Sequence, residues 1–275
     1  MNCGHMRKIS EKELKEIMLE GLVEFRNQCQ KYNLRYYLAY GSLLGAVRHR
    51  GFIPWDDDID IWMPREDYDK MISISEEFST TSWEVVNNQI NNKYLFTFAK
   101  FCNKHTVTPP SRFRNGFLYG VCIDLFPLES SVESQTEFEV KCMMDAISRK
   151  YGVMLGRYYG FSNTSSFVEK SKQMMCRLYA RIKYPTYSEI IKMLDAEYRK
   201  QGTAKGNFVY CCQTHLRNIW KVDDFGSGVE LLFEKHYFVA PNNYDVVLKS
   251  LYGDYFQLPD ESDRKAPHEF YAYWK

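Results

Sequence analysis

The densest chemical signal in the chain is the run Trp55-Asp56-Asp57-Asp58-Ile59-Asp60-Ile61. Residues two apart on a strand point to the same face. The alternation of acid and apolar side chains over 58–62 therefore predicts a strand with Asp58 and Asp60 on one side and Ile59 and Ile61 in the core. Two carboxylates held that close repel each other unless a proton or a cation neutralises them. An oxygen-only donor set of this kind suits Mg²⁺ or Mn²⁺, which complete their shells with water and substrate phosphates. A solvated acidic loop is the bland alternative, and a free loop has no reason to alternate with isoleucine. A calcium loop fails on geometry. With Asp56, Asp58 and Asp60 at its first, third and fifth positions, the glycine required next would fall at Ile61.

A third carboxylate comes from Val121-Cys122-Ile123-Asp124-Leu125-Phe126. Asp124 sits between apolar residues, and a buried aspartate without a partner is costly. It is a metal ligand, a proton acceptor or a structural group bonded to loop amides. Upstream, Tyr40-Gly41-Ser42-Leu43-Leu44-Gly45 reads as a strand ending in Gly-Ser and feeding a helix. That arrangement brings backbone amides and a hydroxyl to a helix N-terminus, where phosphate binds. Gly-Ser is also an ordinary turn, and what lifts it here is its place sixteen residues before Asp58. Arg48, in the following helix, could reach the same oxygens with a bidentate guanidinium. Lys100, on a strand expected beside that of Asp124, offers a cation for developing charge. Each of the two is otherwise a surface charge. Asp57 points away from Asp58 if the strand has begun, toward a base such as Arg48 or Arg50. Cys211, Cys212 and His215 do not complete a four-ligand zinc spacing, and the cysteines read as ordinary residues of the core.

The elements that must carry these groups follow from capping and periodicity. Ser10-Glu11-Lys12-Glu13 is a capping box, and Leu14, Ile17, Met18, Leu22 and Phe25 recur at helical spacing, predicting a helix over 11–32 with one buried face. Strands are predicted at 36–40, 58–62, 83–86, 94–101 and 118–126, and helices at 43–48 and from Pro64 to about residue 78. A loop over 108–116 carries Arg112 and Arg114. From 135 to 200 the pattern is helical with breaks near 160–166 and at Pro185, then come short strands and a helix near 244–251. The expected architecture is α/β, a mixed β-sheet core flanked by helices over 1–130, with a mainly helical region over 131–275 that completes the active site and binds the acceptor.

Bulk properties bound the answer. With 45% hydrophobic and 16% aromatic residues the chain can bury a large core. Lys+Arg 36 against Asp+Glu 35 gives no global field for nucleic acid or an acidic membrane, so phosphate recognition must be local. Met1 to Met6 show no apolar signal stretch, and no segment reaches the roughly 18 to 20 apolar residues of a membrane span. The eight cysteines are scattered, as reduced thiols of a cytoplasmic protein would be.

At the stretch from Tyr40 to Ile61, with Gly51-Phe-Ile-Pro-Trp-Asp-Asp-Asp-Ile-Asp60 at its centre, the sequence resembles the LicD family, which includes the fukutin-type proteins. Ala99-Lys100, Ile123-Asp-Leu-Phe-Pro-Leu128, Tyr252-Gly-Asp-Tyr255, Leu258-Pro259, Arg264 and His268 extend the resemblance across most of the chain. It implies a nucleotidyltransferase-type fold and transfer of a phospho-alcohol from a CDP-activated donor, CDP-choline in bacterial members and CDP-ribitol in the fukutin branch. The acceptor would be a sugar hydroxyl of a lipid-linked or polysaccharide glycan precursor, and CMP would be released. Asp58, Asp60 and Asp124 would hold Mg²⁺ or Mn²⁺. Lys100 would assist catalysis, Gly41, Ser42 and Arg48 would bind donor phosphate, and Arg264 and His268 would contact substrate. Fukutin-type members carry a membrane anchor and this sequence shows none, which favours a bacterial, cytoplasmic branch with room for peripheral membrane association. The alternatives are a nucleotidyltransferase that uses an NTP and releases pyrophosphate, and a non-catalytic nucleotide or glycan binder. Trp55 and Trp62 are the aromatics nearest the acidic strand, and no choline-binding box is identifiable from sequence.

Overall fold

The computed structural model describes residues 6–94, 96–108, 117–155, 167–183, 186–199, 206–212, 218–265 and 271–275. Arg112, Arg114, His215, His268 and the breaks at 160–166 and Pro185 lie outside them.

Helix α1 spans Glu11–Tyr32, and the capping box forms as its sequence demands: the Ser10 hydroxyl accepts from the Glu13 amide and the Glu13 carboxylate from the Ser10 amide. Leu14, Ile17, Met18, Leu22 and Phe25 are all buried. β1 (Tyr37–Leu38) leads into α2 (Tyr40–His49), followed by β2 (Asp60–Pro64), α3 (Arg65–Ser73), α4 (Ser75–Phe78), β3 (Trp83–Val86), β4 (Ala99–Asn103), β5 (Thr106–Val107) and β6 (Cys122–Ser130). Three helices come next, α5 (Glu137–Leu155), α6 (Phe167–Lys183) and α7 (Tyr187–Arg199). The chain then returns to short elements: β7 (Phe208–Tyr210), β8 (Ile219–Lys221), α8 (Val222–Phe225), β9 (Val229–Phe233), β10 (His236–Ala240), α9 (Tyr244–Tyr252) and β11 (Tyr273–Trp274).

The main sheet runs β1-β2-β6-β4-β3, with β7 on the far half of β6 and β8 beyond it. β2 and β6 are parallel; β1, β4 and β3 join antiparallel. One face of the sheet is apolar: Ile61 sits opposite Leu125, and Leu125 opposite Ala99. Ile123 sits opposite Phe101, whose ring meets Phe25 of α1 edge-on at 5.8 Å. α1 covers this face, and strand alternation sends the intervening residues to the other one. The β9–β10 hairpin packs against β1 and α2, and α9 against α2, so residues late in the chain close around the same core.

Several element boundaries differ from expectation. The strand at the acidic run starts at Asp60 rather than 58: its ladder with β6 begins at Asp60 opposite Asp124, and β1 joins it only at Ile61 and Trp62. α2 begins at Tyr40, three residues early, with Tyr40 itself at φ 40°. β6 runs four residues past Phe126 because Glu129 and Ser130 pair with Tyr210 and Val209, a partner distant in sequence. β4 starts at Ala99, later than the aromatic run at 94–98 suggests.

Candidate active site

Three charged residues stand in one row across adjacent strands. Asp60 of β2 lies opposite Asp124 of β6, and Asp124 lies opposite Lys100 of β4. Register therefore puts all three on the face that α1 leaves free. The Lys100 ammonium forms an ion pair with the Asp124 carboxylate. It is also held over three aromatic rings, 5.1 Å from the centroid of Phe96, 5.2 Å from Phe98 and 5.3 Å from Tyr119. Burial lowers the Lys100 pKa, but the Asp124 carboxylate and neighbouring groups raise it by more, so that it is held up overall.

Asp60 is pinned through its backbone. Its amide donates to the Ser42 hydroxyl at 2.9 Å, and its carbonyl accepts from the Ala39 amide at 3.0 Å. The preceding carbonyl, of Ile59, accepts from the Asp124 amide at 2.9 Å, which ties the acidic segment to β6 before the strand formally begins. Burial, then the carboxylates of Asp58, Asp124 and Asp56, raise the Asp60 pKa well above the usual carboxylate range, with Lys100 opposing. Asp56 is raised as well, first by burial and then by Asp57.

Asp56, Asp57 and Asp58 each place one carboxylate oxygen within 4.8 Å of the others. Among the described residues these three are the acidic group that meets so closely, and Asp60 beside them is repelled by Asp58, Asp124 and Asp56. A hard divalent cation relieves that repulsion, and the donor set fits Mg²⁺ or Mn²⁺. Asp58 lies ahead of β2, not on it, so its approach to Asp60 comes from the path of the chain rather than from strand alternation.

Gly41 and Ser42 occupy the first turn of α2, where helix geometry gives their amides no intrahelical acceptor. A Cβ at Gly41 would sit 2.6 Å from Asp56 Oδ2, so any side chain there would push the Asp56 carboxylate aside. Arg48 donates to the Tyr255 carbonyl at 3.0 Å and to His49 Nε2 at 2.9 Å, and burial lowers its pKa. The Arg264 guanidinium lies 5.7 Å from the Trp55 ring centroid and donates to the Pro259 carbonyl at 2.9 Å, which brings the C-terminal segment beside the acidic run.

Two features went unassigned in the sequence. Tyr252, at the end of α9, is 40% exposed as a residue, but its hydroxyl pKa is raised, by local desolvation and then by the charges of Asp60, Asp56 and Asp58. Its motif, Tyr252-Gly-Asp-Tyr255, carried a signal of place but none of role. The rings of Phe96 and Phe98 share the two-residue spacing of Lys100, a pattern readable as one strand face; Tyr119 arrives from the segment before β6 and has no such signal.

Residues 33–150 match the family described as LicD/FKTN/FKRP, nucleotidyltransferase domain. The whole chain is similar to the "Lipopolysaccharide cholinephosphotransferase LicD" of Haemophilus influenzae, 25% identical over 98% of this chain and 99% of the relative. A shorter stretch of 34 residues is 56% identical to the "Ribitol 5-phosphate transferase FKRP" of Homo sapiens, covering 12% of this chain and 7% of that protein. The mouse protein of the same name matches equally over the same length.

Proposed function

We propose, on the premise that residues 33–150 are a nucleotidyltransferase domain of the LicD/FKTN/FKRP family, that this chain is a phosphotransferase. It moves phosphocholine or a related phospho-alcohol from a CDP-activated donor to a glycan hydroxyl and releases CMP. The observation that carries the reading is the row of Asp60, Asp124 and Lys100 across three strands, with the carboxylates of Asp56, Asp57 and Asp58 within 4.8 Å of one another just ahead of it. The full-length similarity to a protein named as a cholinephosphotransferase supports phosphocholine as the group transferred.

In this mechanism Asp58, Asp60 and Asp124 would hold a divalent cation, Mg²⁺ or Mn²⁺, which supplies charge neutralisation for the donor diphosphate and the two oxygens that exchange on phosphorus. The first-turn amides of Gly41 and Ser42, with the Arg48 guanidinium, bind donor phosphate oxygens. Lys100 is a positioning residue: its ammonium fixes the Asp124 carboxylate, and its ring enclosure keeps it from swinging toward other anions. Arg264 and His268 contact substrate from the C-terminal side. The acceptor oxygen bonds the phosphorus that bears the alcohol, the bridge to CMP breaks, and the hydroxyl proton leaves to solvent or a carboxylate of the cluster. The acceptor is a lipid-linked or polysaccharide glycan precursor, met in the cytoplasm or at the membrane face. No helix among the described residues is long and apolar enough to cross a membrane.

Thermal stability with Mg²⁺ and CDP-choline, CDP-ribitol, CTP or ATP tests the reading. Stabilisation by a CDP-alcohol that needs Mg²⁺ supports it. A shift with CTP or ATP alone would favour the rival, nucleotidyl transfer with pyrophosphate release.

A further inference from the structure

Helix α6 turns an apolar stripe to solvent. Val168, Met175, Tyr179 and Ile182 fall on one line along the helix, with Met174 and Leu178 beside it at the same four-residue spacing. All six are exposed, Ile182 at 79% and Met175 at 72%. α6 packs on α5. Leaving such a stripe in water forfeits the burial that normally holds an amphipathic helix in place.

The charge around the stripe says what covers it. Exposed Lys170 flanks it on one side, and exposed Lys172 and Lys183 flank it on the other. Lys183 lies over the Tyr179 ring at 5.5 Å and donates to its hydroxyl at 3.1 Å, so this cation stands at the edge of the apolar surface. The helix sequence also contains Arg177 and Arg181, against the single acid Glu169. Five cations therefore gather in 17 residues of a chain whose net charge is only +1. A second copy of the same face would meet like charge with like. An anionic lipid surface satisfies both features at once, taking the apolar stripe into the acyl boundary while the lysines reach headgroup phosphates.

We propose that α6 docks this protein flat onto an anionic membrane surface. The proposal is independent of the phosphotransfer reading, because it stands on a helix that contributes nothing to the acidic cluster, and its test reads binding rather than turnover.

The full chain is mixed with vesicles of phosphatidylcholine alone, or of phosphatidylcholine with phosphatidylglycerol, and co-sedimentation is measured at low and high salt. Partition is expected to be at least about tenfold stronger onto the anionic vesicles and to weaken with salt. Leu178→Glu with Ile182→Glu, and separately Lys170→Glu with Lys172→Glu, should each lower it by about tenfold or more. All four positions are exposed, so the thermal midpoint of each variant should match that of the parent, and the charge-reversal pair keeps the apolar stripe intact. Equal binding to both vesicle types, or unchanged binding in either variant, overturns the proposal. So does a dimer in solution that Leu178→Glu with Ile182→Glu dissociates, since the stripe would then belong to a second copy of the chain.

Discussion

The Ser42 hydroxyl accepts a hydrogen bond from the backbone amide of Asp60 at 2.9 Å, joining the first turn of α2 to the first residue of β2. The side chain is buried, at 4% exposure, so this bond is a fixed strut under the carboxylate. Ser42→Ala strands the Asp60 amide, a loss of about 1–3 kcal/mol. The melting temperature should fall by about 2–4 °C per kcal/mol, and turnover should fall with it as Asp60 loosens. Differential scanning fluorimetry beside an activity assay checks this. A loss of turnover with an unchanged melting temperature would assign Ser42 to phosphate contact alone.

Lys100 and Asp124 give a second expectation. Lys100→Met leaves Asp124 among carboxylates without its ammonium, at a cost of about 2–3 kcal/mol, below the range for a fully buried pair because the Asp124 side chain retains 20% exposure. Mg²⁺ should then restore more stability to this variant than to the parent, because the cation takes over the missing positive charge. Thermal melts of both proteins with and without Mg²⁺ read the difference. Equal increments in the two proteins would detach Lys100 from the cluster.

Gly41→Ala probes the packing of the acidic run against α2. The added Cβ would meet Asp56 Oδ2 at 2.6 Å, so the carboxylate must move while the helix keeps its course. An approximately ten- to hundredfold fall in kcat/KM is expected from displacement on this scale, with little change in melting temperature. Steady-state kinetics on the variant is the check, and parental kinetics would mean that Asp56 is outside the working cluster.

A fourth expectation concerns how the helical region is fastened. Arg65, at the start of α3, donates from Nε to both oxygens of buried Glu129 in β6 at 3.1 and 3.0 Å, and pairs with Asp195 of α7 at 3.1 Å. Arg199 of α7 closes the network on Asp69 and Asp195. Arg65→Met should cost about 3–5 kcal/mol by taking the guanidinium away from buried Glu129, and Arg65→Met with Glu129→Leu should recover much of it. Urea denaturation of the two variants measures both numbers; a double variant no more stable than the single one would contradict the reading.

What the sequence disclosed, and what it withheld, follows the range of the interactions involved. α1 was readable to its ends because its capping box and its apolar period are local, and the same holds for β3 and for the start of α9. Acid–apolar alternation over 58–62 marks a strand but not where its ladder begins, and the pairing with β6 starts only at Asp60. On the other side, β1 is two residues long, because Tyr40 enters α2 at positive φ. β6 was placed four residues early because its last pairings are with residues around 209, a contact no local pattern announces. Asp58, Asp60, Asp124 and Lys100 could be picked out by type and spacing, but the register that sets Lys100 against Asp124 and Asp124 against Asp60 is a property of the folded sheet. Tyr252 and the ring enclosure of Lys100 were hidden for the same reason.

The central claim is metal-dependent transfer from a CDP-alcohol at the acidic cluster, and release of CMP from CDP-choline in the presence of a glycan acceptor tests it most directly. Parent and Asp60→Asn proteins are compared with and without Mg²⁺. The expected result is CMP release by the parent that needs Mg²⁺ and is lost by about a hundredfold or more in Asp60→Asn, while the variant melts at or above the metal-free parent because a repelling charge is gone. CMP release that persists in a folded Asp60→Asn protein, or silence of the parent with every CDP-alcohol alongside pyrophosphate release from an NTP, would contradict the account.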